Sequence, residues 1–330
     1  MNKLKQFWYK KQKSSHDLLD EIDQVLLLDN HEHKYSSRST NTRLFIRIYH
    51  WTCTHKILTQ LITCVCIPVL LYIFLIMLST NQAFIPKEFQ ENHHRLLLIA
   101  AHPDDECLFF SPTLRILQTQ HHVNTSLLIL SRGNHVGLGE IRARELHGSC
   151  RALNIPQERC ISLDLSYMQD DPKIWWSEKQ ILPIINEYIR LWSIDFLVSF
   201  DDYGISGHMN HRAIASAVRS LVQNKTNTMI KMSYELKSVS VLRKYSSLMD
   251  FYFVFLSFIP RLLHSFFSYI IPFDLISSPD MSRILLVNTP NDYMASRAAF
   301  ASHQTQYNWD RHIYLIASRY MFINELKKIE

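Results

Sequence analysis

Apolar and polar positions fall into three regimes along the chain. Residues 1–56 are polar, with ten Lys/Arg and six Asp/Glu, and only the stretch HDLLDEIDQVLLL (16–28) has the spacing of a short amphipathic helix. Residues 57–78, ILTQLITCVCIPVLLYIFLIML, are 22 positions without a charge. That is long enough to cross about 30 Å of hydrocarbon, and its Pro68 is tolerated in lipid. The run starts too far into the chain for a signal peptide. The third regime follows a linker at 79–94. Short apolar runs at 95–100, 124–131, 160–165 and 195–200 alternate with helical spacing at 106–120, 139–154, 177–192 and 209–223. Strands separated by helices imply βαβ units. The expected fold is therefore α/β, a Rossmann-like, mostly parallel sheet flanked by helices over 95–330, preceded by one transmembrane helix. A second apolar stretch at 251–273 is interrupted by Pro260, Arg261, His264 and Pro272. It reads as an insertion lying along a membrane interface, with Phe255, Phe258 and Phe266 at the headgroup boundary.

Composition narrows the chemistry. Only 6 of 330 residues are Gly, all between Gly133 and Gly207, and neither G-x-G-x-x-G nor G-x-x-x-x-G-K-[ST] occurs. A net charge of +5 is too mild for a nucleic-acid-binding face and suits a membrane protein near anionic lipid. The six Cys form no C-x-x-C pair, so reduced thiols are expected, and neither a zinc knuckle nor a disulfide framework.

Two strand ends carry unusual residues. His102-Pro103-Asp104-Asp105-Glu106 follows the first strand, and Ser206-Gly207-His208-Met209-Asn210-His211 follows the fourth and opens a helix. In a parallel sheet both reach the same edge, where ligands bind. His102, Asp105 and His211 supply two imidazoles and a carboxylate, a donor set for Zn²⁺ that also suits Fe²⁺. Asp104, beside a ligand but aimed differently, is the candidate general base. His208, one helical turn from His211, is the candidate acid or oxyanion partner.

Five blocks in order carry a resemblance: AHPDDECLFFSPTL, SRGN…GEIRARELHGSC, FDDYGISGHMNH, VSVLRKY and ASHQTQY…YLIASRYMFIN. The chain resembles the N-acetylglucosaminyl-phosphatidylinositol de-N-acetylases (PIG-L type), within the LmbE-like zinc deacetylase superfamily. The resemblance implies the same metal ligands and the same roles for Asp104 and His208. It also implies the substrate, a glycolipid, and the reaction, loss of its acetyl group as the second step of GPI-anchor assembly. Deacetylation of another amino sugar and an inactive membrane scaffold are the alternatives. Arg142, Arg144 and Asp201 are candidates for substrate binding. The two arginines would hold the inositol phosphate, or else form a solvated helix face with Glu140 and Glu145. Arg132 and Asp202-Tyr203 depart from the family's pattern.

Charge and resemblance disagree on orientation. Arg38, Arg43, Arg47 and Lys56 precede the apolar run within 20 residues, and only Lys87 and Arg95 follow it. That bias places the downstream domain in the lumen. The resemblance implies an endoplasmic reticulum membrane protein with a single span and its catalytic domain facing the cytoplasm. The expectation follows the resemblance, because the bias is small.

Overall fold

The computed structural model describes residues 38–78, 84–86, 89, 94–225, 227–267 and 282–330. The amphipathic stretch 16–28, most of the 79–94 linker and residues 268–273 lie outside the described residues. The chain divides into two units, 1–61 and 62–330. In the first lies helix α1 (Arg38–Thr54). Helix α2 (Lys56–Met77) starts there and continues into the second unit, with a π-helical stretch at Ile62–Cys66. By length and composition α2 can cross a membrane, and Val65, Leu70, Ile73 and Met77 are exposed on it.

The second unit is an open seven-stranded sheet. In chain order its elements are β1 (Arg95–Ala100), α3 (Ser111–His121), β2 (Asn124–Ile129), α4 (Gly139–Ala152), β3 (Cys160–Ser162), α5 (Glu178–Leu191), β4 (Phe196–Phe200), α6 (Met209–Gln223), β5 (Met232–Leu236), α7 (Asp250–Phe267), β6 (Arg283–Val287), α8 (Pro290–Ala301), α9 (Trp309–Ala317) and β7 (Ile323–Lys328). The strand order is β3-β2-β1-β4-β5-β7-β6. The first five strands pair in parallel, and β7 runs antiparallel between β5 and β6.

Side-chain alternation divides β1 between two cores. Leu96, Leu98 and Ala100 enter one apolar cluster, while Leu97, Ile99 and Ala101 enter the other. Both faces are covered, so the strand reads as an unbroken apolar run. Helix α5 closes the second cluster with Ile181, Ile185 and Ile189, spaced at i, i+4 and i+8. Ser177 starts it with a capping box, its hydroxyl accepting from the Lys179 N–H. The chain leaves β1 toward β2 and β3 and later returns to β4 on β1's other side. The sheet therefore reverses direction between β1 and β4, where the two loops with unusual residues begin.

Two expectations need correction. The cysteines are not all free thiols: Cys150 at the end of α4 is bonded to Cys160 at the start of β3. The connection returns so tightly that their Cα atoms lie 6.4 Å apart, which the ten-residue spacing did not reveal. Phe258, expected at a membrane boundary, lies in the core with Phe251 and Val254 along one face of α7. That face also meets α2, with Tyr72 5.1 Å from Phe251 and Phe74 6.0 Å from Phe255 by ring centroids. Phe253, Leu256 and Leu263 of α7 are exposed.

Candidate active site

The loop after β1 is built around Asp105. Its Oδ2 accepts the Ala101 and His102 N–H groups at 3.0 and 2.9 Å, which turns the chain sharply off the strand. The turn puts Asp104 at φ +116°, a conformation that a residue with a Cβ rarely adopts. Two contacts hold it there. The Asp104 N–H donates to Glu106 Oε2 at 2.9 Å, and the Arg142 guanidinium lies 3.5 Å from the Asp104 carboxylate.

The loop after β4 delivers the histidines. His211 Nδ1 is 3.1 Å from the Gly204 carbonyl, its natural acceptor, which leaves Nε2 free as a ligand, 3.4 Å from Asp105 Oδ1. Its ring stacks on Phe200, centroids 4.1 Å apart and 8° from parallel. Gly204 sits at φ +60°, and a Cβ there would come within 2.6 Å of His211 Cβ, so the ring's seat requires glycine. His208 caps α6, its Nδ1 accepting the Asn210 N–H at 3.3 Å.

His102, Asp105 and His211 are buried, and their ligand atoms all lie within 4.8 Å of one another. Burial and the neighbouring His102 charge push His211 down to about 3, so it is a neutral donor. Burial disfavours a charge on His102, but its contact with Asp170 and the carboxylates of Asp105 and Asp104 outweigh this and raise it, so an ion bound there would displace a proton. Two imidazoles and a carboxylate then fit a divalent ion. Burial pushes His208 down to about 4, reinforced by the two neighbouring histidines. Burial also raises Asp104 to about 6, against the pull of Arg142.

The structure brings most of the predicted residues together. Arg142 reaches the site, but as a strut rather than a free cation. It donates to the Pro103 and Gly133 carbonyls at 2.6 and 3.0 Å and lies beside Asp104 and Asp170. Arg144 is exposed on α4 and reaches none of these residues. Asp201 lines a neighbouring cavity, yet its oxygens are committed to the N–H groups of Tyr203, Gly204 and Ser238 and to the Ser238 hydroxyl. Of the residues that depart from the family pattern, Arg132 and Asp202 are tied into surface ion pairs with Glu140 and Arg219, while Tyr203 is exposed and lines the cavity beside Asp201. Glu145 binds Thr305 rather than either arginine.

Asp170 and His303 escaped the sequence reading, and Glu106 and Asn210 stood in its motifs without a role. Asp170, in the loop after β3, lies 3.0 Å from His102 Nε2 and 4.0 Å from His208 Nε2, and the three could themselves hold an ion. Asp170 lies eight residues past β3, too far from the strand end for the sheet-edge rule to single it out. Asn210 Oδ1 lies 3.2 Å from His102 Nε2. Glu106 and His303 form a fully buried pair at 2.7 Å, directly beneath Asp104.

An open α/β sheet with a buried His₂Asp cluster at its reversal point defines the class: a fold presenting a candidate metal centre. Residues 97–222 match the family model described as GlcNAc-PI de-N-acetylase. The N-acetylglucosaminyl-phosphatidylinositol de-N-acetylase of Bos taurus is 34% identical over 70% of this chain and 82% of its own length. The enzyme of that name from Saccharomyces cerevisiae is 30% identical over 82% of this chain and 94% of its own. The chain belongs to the GlcNAc-PI de-N-acetylase (PIG-L) family. Among solved structures, the N,N′-diacetylchitobiose deacetylase from Pyrococcus horikoshii aligns over 76% of this chain and 90% of its own, at 15% identity and a TM-score of 0.46.

Proposed function

We propose that the protein is a metal-dependent amide hydrolase that removes the acetyl group of N-acetylglucosaminyl-phosphatidylinositol, the second step of GPI-anchor biosynthesis. The observation that carries this is the buried His102–Asp105–His211 cluster with Asp104 at its edge, in a chain of this family. These three side chains would hold the ion, Zn²⁺ by donor type, with Fe²⁺ also suited. When bound, the ion supplies Lewis acidity toward a water and the amide oxygen.

The remaining work falls to the chain's own groups. Asp104 takes a proton from the attacking water as the new C–O bond forms. When the C–N bond breaks, Asp104 returns that proton to the leaving nitrogen, so the products are acetate and a free amine. Its carboxylate suits this shuttle, because burial has moved it toward neutrality. His208 polarises the carbonyl: with Nδ1 occupied by the Asn210 N–H, its proton sits on Nε2 and points away from the backbone. Arg142 keeps Asp104 aimed.

Acetate release from the glycolipid is the direct test. Activity is expected to vanish with a strong chelator and to return with Zn²⁺ or Fe²⁺. Release from another N-acetylated sugar alone would favour the first alternative, and no release from any substrate would favour a scaffold.

Helix α2 anchors the protein in the endoplasmic reticulum membrane, with the catalytic domain in the cytoplasm where the resemblance puts it. The opposite orientation has specific support in the charge bias and in the Cys150–Cys160 bond, since disulfides persist in oxidising compartments. The exposed Asn124 and Asn224 decide between them, because each begins an N-x-[ST] sequon. Both are expected to stay unglycosylated in cells. A mass shift removed by endoglycosidase at either one would place the domain in the lumen.

A further inference from the structure

Beside the metal cluster, at the carboxyl ends of β4 and β5, is a cavity of about 600 Å³. Its wall carries Lys244, on a single helical turn, Val241–Lys244. This lysine is only 7% exposed. Its ammonium lies 5.6 Å from the Phe109 ring and 5.4 Å from Tyr245, and makes no hydrogen bond or ion pair with the described residues. The charge that bears on it is Arg311, a second cation. Aromatic faces compensate a desolvated ammonium only in part. No carboxylate among the described residues pairs with this largely buried ammonium, which leaves it available to an anion entering the cavity.

Position says which anion. The same Phe109 ring lies 6.1 Å from the His211 ring, so one aromatic separates Lys244 from the metal cluster. The glycolipid carries its phosphodiester beyond the acetylated sugar and the inositol, on the side of the acyl chains. Ser206 and Ser240 line the cavity and are exposed, adding hydroxyl donors. Asp201, the carboxylate in the same wall, is already saturated by four hydrogen bonds. Val241 and Leu242, on the turn that carries Lys244, are 68% and 86% exposed, an apolar lip where the lipid leaves. Arg142 is unavailable for this role, since backbone carbonyls and Asp104 occupy it.

We propose that Lys244 is the phosphate-binding cation of the substrate site. The assignment rests on the deacetylase reading above, and it fixes where along the glycolipid the enzyme grips.

Three substrates test it: the full glycolipid, its deacylated glycerophosphoinositol form, and N-acetylglucosaminyl-inositol without phosphate. For Lys244→Met, kcat/KM on the two phosphate-bearing substrates is expected to fall roughly 10- to 100-fold, mainly through KM. On the phosphate-free compound the variant should match wild type, which also shows that it folds and holds metal. Lys244→Arg should restore most of the loss. A loss confined to the acylated substrate would assign the turn to lipid contact and overturn the assignment. Equal loss on all three substrates, or none, overturns it too, while leaving the deacetylase reading standing. A wild-type protein that releases acetate from none of them overturns that reading, and the assignment with it.

Discussion

His211→Ala is expected to leave the purified protein almost free of metal and without measurable acetate release. His208→Ala should retain its metal and lose about 10²–10³-fold in kcat, the usual cost of an oxyanion donor. The two histidines sit in one H-x-x-H, so a motif treats them alike, and the geometry separates them. His211 is buried, stacked on Phe200, oriented by the Gly204 carbonyl and aimed at Asp105. Its removal takes away one of three close donors and opens a void that alanine cannot fill. His208 is half-buried, and its Nε2 is nearer to Asp170 than hydrogen-bonded to anything in the cluster. The carboxylates should divide the same way. Asp105→Asn loses metal, because an amide is a poorer ligand and its NH₂ would face the Ala101 and His102 N–H donors or the ion. Asp104→Asn keeps the metal and costs about 10²–10⁴-fold in kcat, since an amide cannot accept the water's proton. Metal analysis of the four variants, alongside kcat, reads both outcomes. A metal-free His208→Ala with a metal-replete His211→Ala would reverse the roles of the two histidines. The second cluster, His102–Asp170–His208, makes that reversal a physically possible result.

How much of this was legible in the sequence depended on how local its cause was. β1 and β4 are buried on both faces and, but for Arg95 and Ser199, apolar, so each stands out as a run without knowledge of its neighbours, while β2 shows itself only through its Leu127–Ile129 half. β5 (MSYEL) and β7 (INELKK) do not, because their polar residues are neutralised by partners far away in the chain. Glu235 is met by Arg219, and Glu325 by Lys237 and Arg283. β5 and β7 were therefore not read as strands, and β6 (RILLV), although an apolar run, was passed over with them. The same reasoning holds at the site. His102, Asp105 and His211 could be grouped because strand ends of a parallel sheet must converge. Asp170 sits eight residues past β3, in a loop whose path no pattern dictates. For α7, hydropathy suggested a membrane-lying segment, and the core-facing position of Phe258 could be known only from its packing against β6. Its neighbours there, Arg261 and Arg283, both lie over that ring.

Glu106→Gln should be among the most destabilising single-atom-scale changes in the protein, about 3–5 kcal/mol. That is a large part of the roughly 5–15 kcal/mol that holds most domains together. Glu106 and His303 are both fully excluded from solvent. Burial alone would raise the Glu106 carboxyl. The His303 charge and hydrogen bond, the Ser149 hydroxyl at 2.5 Å and the Asp104 N–H outweigh it and hold Glu106 at about 2. Burial likewise disfavours charged His303, and Glu106 reverses that and raises it. A glutamine of the same shape leaves the imidazolium without its counter-ion and sets an NH₂ against donors that all need an acceptor. The signs fix the pH window. A lowered Glu106 contributes stability above its unfolded value of about 4.5, and the contribution is lost as pH falls toward 2. A raised His303 contributes below its unfolded value of about 6.5, and the contribution is lost as pH rises through its folded value. Wild type and variant should therefore differ most between about pH 4.5 and 6.5 in denaturant melts. Activity should fall as well, because Glu106 Oε2 is the acceptor that pins Asp104 at its positive φ. Adding His303→Gln to Glu106→Gln removes the stranded charge and should recover part of the lost stability. A double variant as unstable as the sum of the two singles would show that the pair does not act as a unit.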